Sequence, residues 1–527
     1  MNHSHHDASS VKQAWRQYEA GKDYKRRIGL YETVRRNERF YRGDQWQNGE
    51  GGDLPKPVFN VLRRVIDYLV CSVASTNLSV RFTAENLPFL KGTPEGEHLA
   101  KALEVLSSNA NYRWEETGMD QKLMRLLTDA ALTGDGVLYC YWDASKENPQ
   151  LFGGDIATEV IDNVNLFVSD VNRADLQSQD YILLAGRASV ASLRREAQAF
   201  GVSAEELAKI RPDGDTGEQS GDFARYELEG AEEAKATYLI KFWREDGHVV
   251  FEKSTRDCLI RRAHTNCRLY PVAYFNWMPT KNCFHGSSPV THLIPNQKFI
   301  NRAYSMAMKH MIDTAFSKVI YDKSKIPEWN NEVGQAIAAV GGGNIADAVS
   351  VVGVGEMQSG YTELIESAIN MTKEMMGATE SALGNLEASN TSAILALQET
   401  SRISLEQIRS AYYACVEDLA NIWADMMCAY YPNERLLPFH TRDGVQTASV
   451  DFSALKESFL HARVDIAEVS RYTAASAQNL LDKLLESGYI TPEAYVRRLP
   501  SGLLLDRQAL IEELAQANSP EQKEKEG

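Results

Sequence analysis

The chain has no CxxC pair, no G-x-x-x-x-G-K-[ST] loop, no H-E-x-x-H helix and no G-x-S-x-G turn. Each absence removes a class of protein. Seven cysteines stand scattered at 71, 140, 258, 267, 283, 415 and 428. They offer neither a disulfide framework nor a zinc ribbon, and fit isolated thiols in a reducing compartment, mostly as small buried side chains. Without the glycine–lysine loop, the usual cradle for nucleotide phosphates is missing. Without the other two patterns, neither a zinc protease nor a hydrolase elbow is indicated. Basic residues are also in deficit: 56 Lys plus Arg face 72 Asp plus Glu, a net charge of −16. That argues against a generic nucleic-acid coat, which needs a basic field. It still lets a polyanion pass nearby without sticking. Long apolar runs are lacking too. The nearest, 336–355, has only Asp347 charged but carries five glycines, and a spanning helix wants about 20 strongly apolar residues. The opening MNHSHHDASS is polar and shows no signal-peptide pattern, so a soluble, cytoplasmic product is expected when the protein is made.

What is present is an ordinary folding composition, 43% hydrophobic and 24% charged over 527 residues, room for several domains. Residues 7–42 read as helical, with Val11, Trp15 and Tyr18 on one face. Eight basic residues, Lys22, Lys25, Arg26, Arg27, Arg35, Arg36, Arg39 and Arg42, read as a solvated helix face. A Gly/Pro loop at 42–57 leads to an amphipathic helix at 58–75, and helical patterns recur at 97–109 and 114–132. Alternation and β-branched enrichment then predict strands at 136–143, 159–170, 181–187, 236–245, 247–253 and 269–277, with a helix at 189–201. Residues 1–290 therefore form a mixed α+β unit.

After His285 the pattern changes. A helix is predicted over 295–316, with Ile300, Tyr304, Ala307, Met308, Met311 and Ala315 on one face. A small insert follows at 318–360, holding a strand at 318–322, a short helix at 332–340 and a strand-like AVSVVGVG run. Next come a short helix (361–376), a polar break (377–391) and one very long helix (392–431). The long helix carries Leu405, Ile408, Tyr412, Cys415, Leu419, Ile422, Met426 and Tyr430 as a single stripe. It would span roughly 60 Å, which suggests a rod in a large assembly. Residues 432–517 read as a strand near 447–452 and helices at 474–487, 491–499 and 506–517, and 518–527 as a disordered tail.

Chemistry-bearing clusters are scarce. His3, His5 and His6 sit on a polar terminus, and His285, His292 and His310 lack a carboxylate pattern. No catalytic, cofactor-binding or metal-ligating residue is assigned, and no cofactor is expected. The polar break offers Thr379, Glu380, Ser381, Asn385, Glu387 and Asn390, and no Lys or Arg. A ring of such loops would make a collar with weak, sequence-indifferent contacts to a moving backbone.

Four stretches, in order, resemble the tailed-bacteriophage portal family, the head-to-tail connectors. They are RNERFYRGDQW (36–46) with KPVFNVLRRVIDYLV (56–70), HGSSPVTHLIPNQKFINR (285–302), MTKEMMGATESALGN with SNTSAILALQE (371–399), and LLESGYITPEAYVRRLP (484–500). The resemblance implies an α+β, mainly helical fold with wing, stem, clip and crown parts. Residues 1–290 would be the wing, 291–317 and 361–376 the two stem helices, and 318–360 the clip. Residues 377–391 would be the tunnel loop, 392–431 the long wing helix and 432–517 the crown side. It further implies a homo-oligomeric ring, usually a dodecamer, at one capsid vertex of the virion. Duplex DNA would pass through it in packaging and ejection, and terminase, head–tail adaptors and capsid or scaffold protein would be its partners. The named residues of the break would line the DNA channel. Neighbouring stem helices would pack through Ile300, Met308 and Met311. Lys309, Lys318, Lys323 and Lys325 would give basic relief near the stem–clip junction. Two other classes stand beside this one: a metal-dependent nucleic-acid-processing enzyme, for which Asp and Glu are plentiful, and another head structural protein such as a shell or scaffold subunit.

Overall fold

The computed structural model describes residues 2–47, 49–74, 77–147, 150, 152–213, 234–314, 318–329, 338, 340–341, 344, 348–352, 360–378, 405–441, 444–457, 460–467, 480–498 and 510. The first expected helix is two. Gly29 takes φ 67°, a left-handed conformation that glycine adopts without steric cost. It divides α1 (Asn2–Arg27) from α2 (Leu30–Arg42). Helix α3 (Val61–Ala74) leads to strand β1 (Asn77–Ala84), then α4 (Pro94–Glu116) and α5 (Met119–Thr133). Helix α4 starts where it does because the Thr93 hydroxyl accepts from Gly96 N (3.1 Å) and Pro94 sits in the first turn.

The β-rich part follows as β2 (Asp135–Asp143), β3 (Asp155–Ile161), β4 (Leu166–Val168) and β5 (Tyr181–Ser189). Next come α6 (Val190–Ala199), α7 (Ala204–Leu207), β6 (Lys235–Glu245), β7 (His248–Ser254), β8 (Leu259–His264) and β9 (Val272–Asn276). The strand expected over 159–170 is interrupted by a 3-10 turn at Asn163–Asn165, where the Asp162 side chain accepts from Val164 N. Two antiparallel sheets result, one in the order β3-β2-β9 and one a five-stranded meander, β4-β5-β6-β7-β8.

The remainder is α8 (Pro289–Thr314), β10 (Lys318–Tyr321), β11 (Val349–Val352), α9 (Gly360–Glu374) and α10 (Glu406–Tyr430). Strands β12 (Leu436–Thr441) and β13 (Gly444–Ser449) form a hairpin. Helix α11 (Phe452–Glu457) and strand β14 (Leu460–Ala467) complete the body. The single strand expected near 447–452 is thus half of a hairpin, and Phe452 opens a helix. Residues 480–486 and Pro492–Arg498 are helical, as expected. Most of the helix expected at 332–340, the start of the long helix (392–404), and nearly all of 506–517 lie outside the described residues.

One large apolar core joins α3, α4, α5 and α10 to β1, β2 and β9, with Trp277, Phe275, Trp423 and Phe452 buried in it. The stripe expected on the long helix faces this core: Leu405, Tyr412, Cys415, Leu419, Ile422 and Met426 are buried. So are Val416, Ala420, Trp423 and Met427, so α10 is enclosed on more than one side rather than standing free as a rod. A smaller core, with Val137, Ile182, Phe242 and Phe284, fills the space between the two sheets. Val11, Ala14, Trp15 and Tyr18, spaced three and four apart, press α1 onto Phe167, Leu183 and Leu239 of the meander.

The basic segment 22–42 corrects one expectation. Lys25 is not solvated: it is 2% exposed. Its Nζ donates to the carbonyls of Asn163 (3.0 Å), Val164 (2.9 Å) and Leu166 (2.6 Å), and lies 3.8 Å from the Phe167 ring centroid. Lys22 is buried as well. Burial drives the Lys25 amine down from 10.5 to about 7, against the opposing pull of Asp162 and Asp135. Below pH 7 both the folded and the unfolded chain hold this proton, and the fold carries the full cost of burying an ammonium. From about 7 up to 10.5 the unfolded chain holds more proton, so this residue makes stability rise with pH. The slope reaches about 1.4 kcal/mol per pH unit. Lys25→Met should remove that rise. Urea midpoints of the two proteins, measured in steps from neutral to alkaline pH, should diverge; parallel midpoints would refute a titrating buried amine.

Candidate functional site

Helix α8 is where body and exposed arm meet, and its two halves differ. The sequence places its start at Pro295. The helix begins at Pro289 and runs through Pro295. Proline there removes one helical hydrogen bond, but Val290, Leu293 and Ile294 are buried in the main core and hold the turn in place.

The first half is clamped by buried amides. Gln297 Nε2 donates to Phe59 O (2.8 Å) and Asn301 Oδ1 (2.9 Å), while its Oε1 accepts from Leu62 N (3.0 Å). Asn301 Nδ2 donates to Gln45 Oε1 (2.7 Å), and Gln45 Nε2 to Phe40 O (2.9 Å). Ser305 Oγ donates to Pro55 O (2.6 Å). The loop at 42–57 is therefore tied to α8 at two points, the Gln45 side chain and the Pro55 carbonyl. Sequence reasoning missed these residues. The available signal was Gln297 and Asn301, one helical turn apart, on the same face as Ile300.

A second buried node sits at the lead-in to α8. Asp135 Oδ1 accepts from Gly286 N (2.7 Å) and Asn276 Nδ2 (2.9 Å), and Oδ2 from His285 Nδ1 (2.8 Å) and Asn163 Nδ2 (3.2 Å). So His285 does have a carboxylate, supplied from 150 positions away. Gly134 and Gly286 cross so closely here that a Cβ on Gly134 would stand 2.6 Å from Gly286 O. Gly134 also holds φ at 101°.

The second half of α8 is different. Met306, Met311 and Ile312 are exposed, as are Tyr361, Leu364 and Met371 on α9, Met375 in the turn just after it, and Ile320 on β10. Helix α9 packs back along α8 through buried Ile365 and Thr372, and Asn296 Nδ2 meets Met375 Sδ at 3.5 Å. Ile300 is fully buried inside the subunit, which corrects its expected place between neighbouring stem helices; Met311 remains exposed and Met308 half-buried. Between the helices, β10 pairs antiparallel with β11, from Lys318 opposite Val352 to Tyr321 opposite Val349. Tyr321 stacks on Trp329 at 5.3 Å.

Of the basic residues, Lys309 forms an ion pair with Asp313 (2.9 Å), one turn on along α8. Lys318 opens β10; Lys323 and Lys325 lie in the turn after it, the first exposed and the second half-buried. The structure thus puts three of the four on the hairpin and balances the charge of the other. Helix α9 ends in a glycine cap: Gly377 takes φ 69°, and Ala378 N donates to Lys373 O (3.0 Å). The channel residues named from sequence, Thr379, Glu380, Ser381, Asn385, Glu387 and Asn390, lie outside the described residues.

Among the described residues no helix is long and apolar enough to cross a membrane, and no three His, Cys, Asp or Glu side chains gather as a metal cluster. Fold and site together define an α+β body from which a helix–hairpin–helix arm presents an apolar face. A family model described as phage P22-like portal protein matches residues 207–467. Over that stretch, which contains the whole arm, the chain belongs with the tailed-phage portal proteins. No curated protein matches the chain.

Proposed function

We propose that copies of this chain close into a ring, in the dodecameric manner of portals, at one vertex of a phage capsid. The arm made by α8, β10–β11 and α9 would be the stem and clip, and 377–391 the tunnel loop. Duplex DNA would pass through the bore during packaging, retention and ejection. Terminase, and later head–tail adaptors, would dock on the hairpin; capsid or scaffold protein would meet the body. The observation that carries this reading is the concentration of exposed apolar side chains on the arm, Met306, Met311, Ile312, Leu364, Met371 and Met375. Apolar surface left contiguous on one subunit is surface for a partner. A ring meets that need by using two different faces of each copy, closed by rotation. Methionine suits such an adaptable contact.

Mass measurement with negative-stain imaging tests the assembly. Rings with a central hole are expected; a monomer under every assembly condition, or closed shells, would overturn the reading. The loop has its own test. Deleting Ala382–Ser389 should leave rings intact and reduce DNA packaging or retention, and normal filling of heads would remove the tunnel-loop assignment.

A further inference from the structure

A cavity in the body, remote in role from the arm, has no part in the reading above. It lies where α4, α5, β3 and α10 converge, has a volume of about 350 Å³, and is lined by Arg113, Lys122, Lys146, Thr117, Thr158 and Trp423. Arg113 is buried. Its Nη1 donates to Asp155 Oδ1 (2.7 Å) and the Tyr431 hydroxyl (2.7 Å), and its Nη2 to Ile156 O (3.0 Å). Its Nε–H has no acceptor. An N–H withdrawn from water without a partner is costly, and native structures fill such positions with water or a ligand.

The two lysines add a second, independent sign. Neither makes an ion pair among the described residues. Burial, and then the positive field of Lys146, press the Lys122 amine down, with Glu159 opposing. Two acids, Asp143 and Glu159, line the cavity too and partly offset the lysines, Glu159 pulling on Lys122 and Asp143 on Lys146, while each is also held by a neighbour of its own. Asp143 Oδ1 accepts from Ser145 N (3.0 Å) and Ser145 Oγ (2.6 Å), and Glu159 Oε1 accepts from the Tyr141 hydroxyl (2.6 Å). Two cations that repel each other, beside a buried donor without an acceptor, form an arrangement that an anion would relieve.

We propose that this cavity is a binding site for a small oxoanion of the phosphate class, held by Lys122, Lys146 and the unpartnered Nε–H of Arg113. The proposal does not rest on the portal reading. Phosphate could reach the site as the free ion or as part of a nucleic-acid backbone; the chemistry of recognition is the same. The full-length protein is titrated with inorganic phosphate in a calorimeter, with ionic strength held constant by chloride. Saturable binding of one phosphate per chain is expected. Lys122→Met and Lys146→Met should each weaken it about tenfold or more. Both side chains are only half-buried, so the fold should survive, and thermal denaturation checks that it does. Lys12→Met, on the exposed face of α1, should leave binding unchanged. Heat that never saturates, an adventitious ion only, or binding indifferent to both lysine variants would overturn the site. A short DNA duplex that displaces phosphate would assign the backbone as the source; a duplex that does not would assign the free ion.

Discussion

Asp135→Ala should destabilise the folded chain by about 3–5 kcal/mol, the usual result of removing one member of a buried, hydrogen-bonded charged group. The carboxylate is 1% exposed and is met by four donors: Asn163, Asn276, His285 and the Gly286 amide. Alanine leaves all four facing a void, and each buried donor then bears its own desolvation cost. Asp135→Asn keeps the shape but turns one acceptor oxygen into an NH2 group among donors, so its loss should be smaller, about 1–3 kcal/mol. Denaturant midpoints of the full-length protein, compared at one protein concentration so that assembly does not confound them, check both values. If Asp135→Ala unfolds together with the wild type, the node is incidental. If the loss appears, the lead-in to α8 is set by a charge on β2, and the arm's direction is fixed from inside the body.

The double variant Met371→Glu, Met375→Glu should fold as a subunit and fail to form rings. Both side chains, at the end of α9 and in the turn after it, are more than half exposed, so the isolated chain has little to lose. In the proposed ring each glutamate would be buried against apolar neighbours, at an effective cost of several kcal/mol per ion, and the symmetry repeats that cost at every interface. Analytical sedimentation should show the monomer alone. Met371→Leu with Met375→Leu keeps apolar character and similar volume, and should still assemble. Rings formed by the glutamate variant would remove this face from the interface.

Reading the sequence recovered those elements whose pattern is local. Lys235–Glu245 alternates, and it is a central strand. The stripe on α10 has helical spacing, and it is buried. Four strands went unread, among them Leu436–Thr441, the other half of the β12–β13 hairpin. Leu259–His264 carries Arg261 and Arg262 on the edge of the meander, and charge on an edge strand looks like a loop. Asn77–Ala84 and Leu460–Ala467 pair only with each other, so no neighbouring turn marked either one. Lys25 was read by its charge, yet the three carbonyls that receive it belong to a turn nearly 140 positions further on. Asp135 and His285 likewise meet only in the folded chain. The arm was the most legible part of the site, since helix, hairpin and helix each carry a local signature, while the direction in which Ile300 points depended on core packing that no window of sequence contains.

The pairing of β1 with β14 has a consequence for synthesis. Asn77 faces Ala467 across that ladder, so β1 leaves the ribosome with its edge open and must wait for nearly four hundred more residues. At about 5–20 residues per second the delay is roughly 20–80 s. During that time a strand bearing Leu78, Val80 and Phe82 is available to any other nascent chain. A polypeptide truncated before Leu460 never closes this seam, so only chains translated past β14 can present a finished body for assembly.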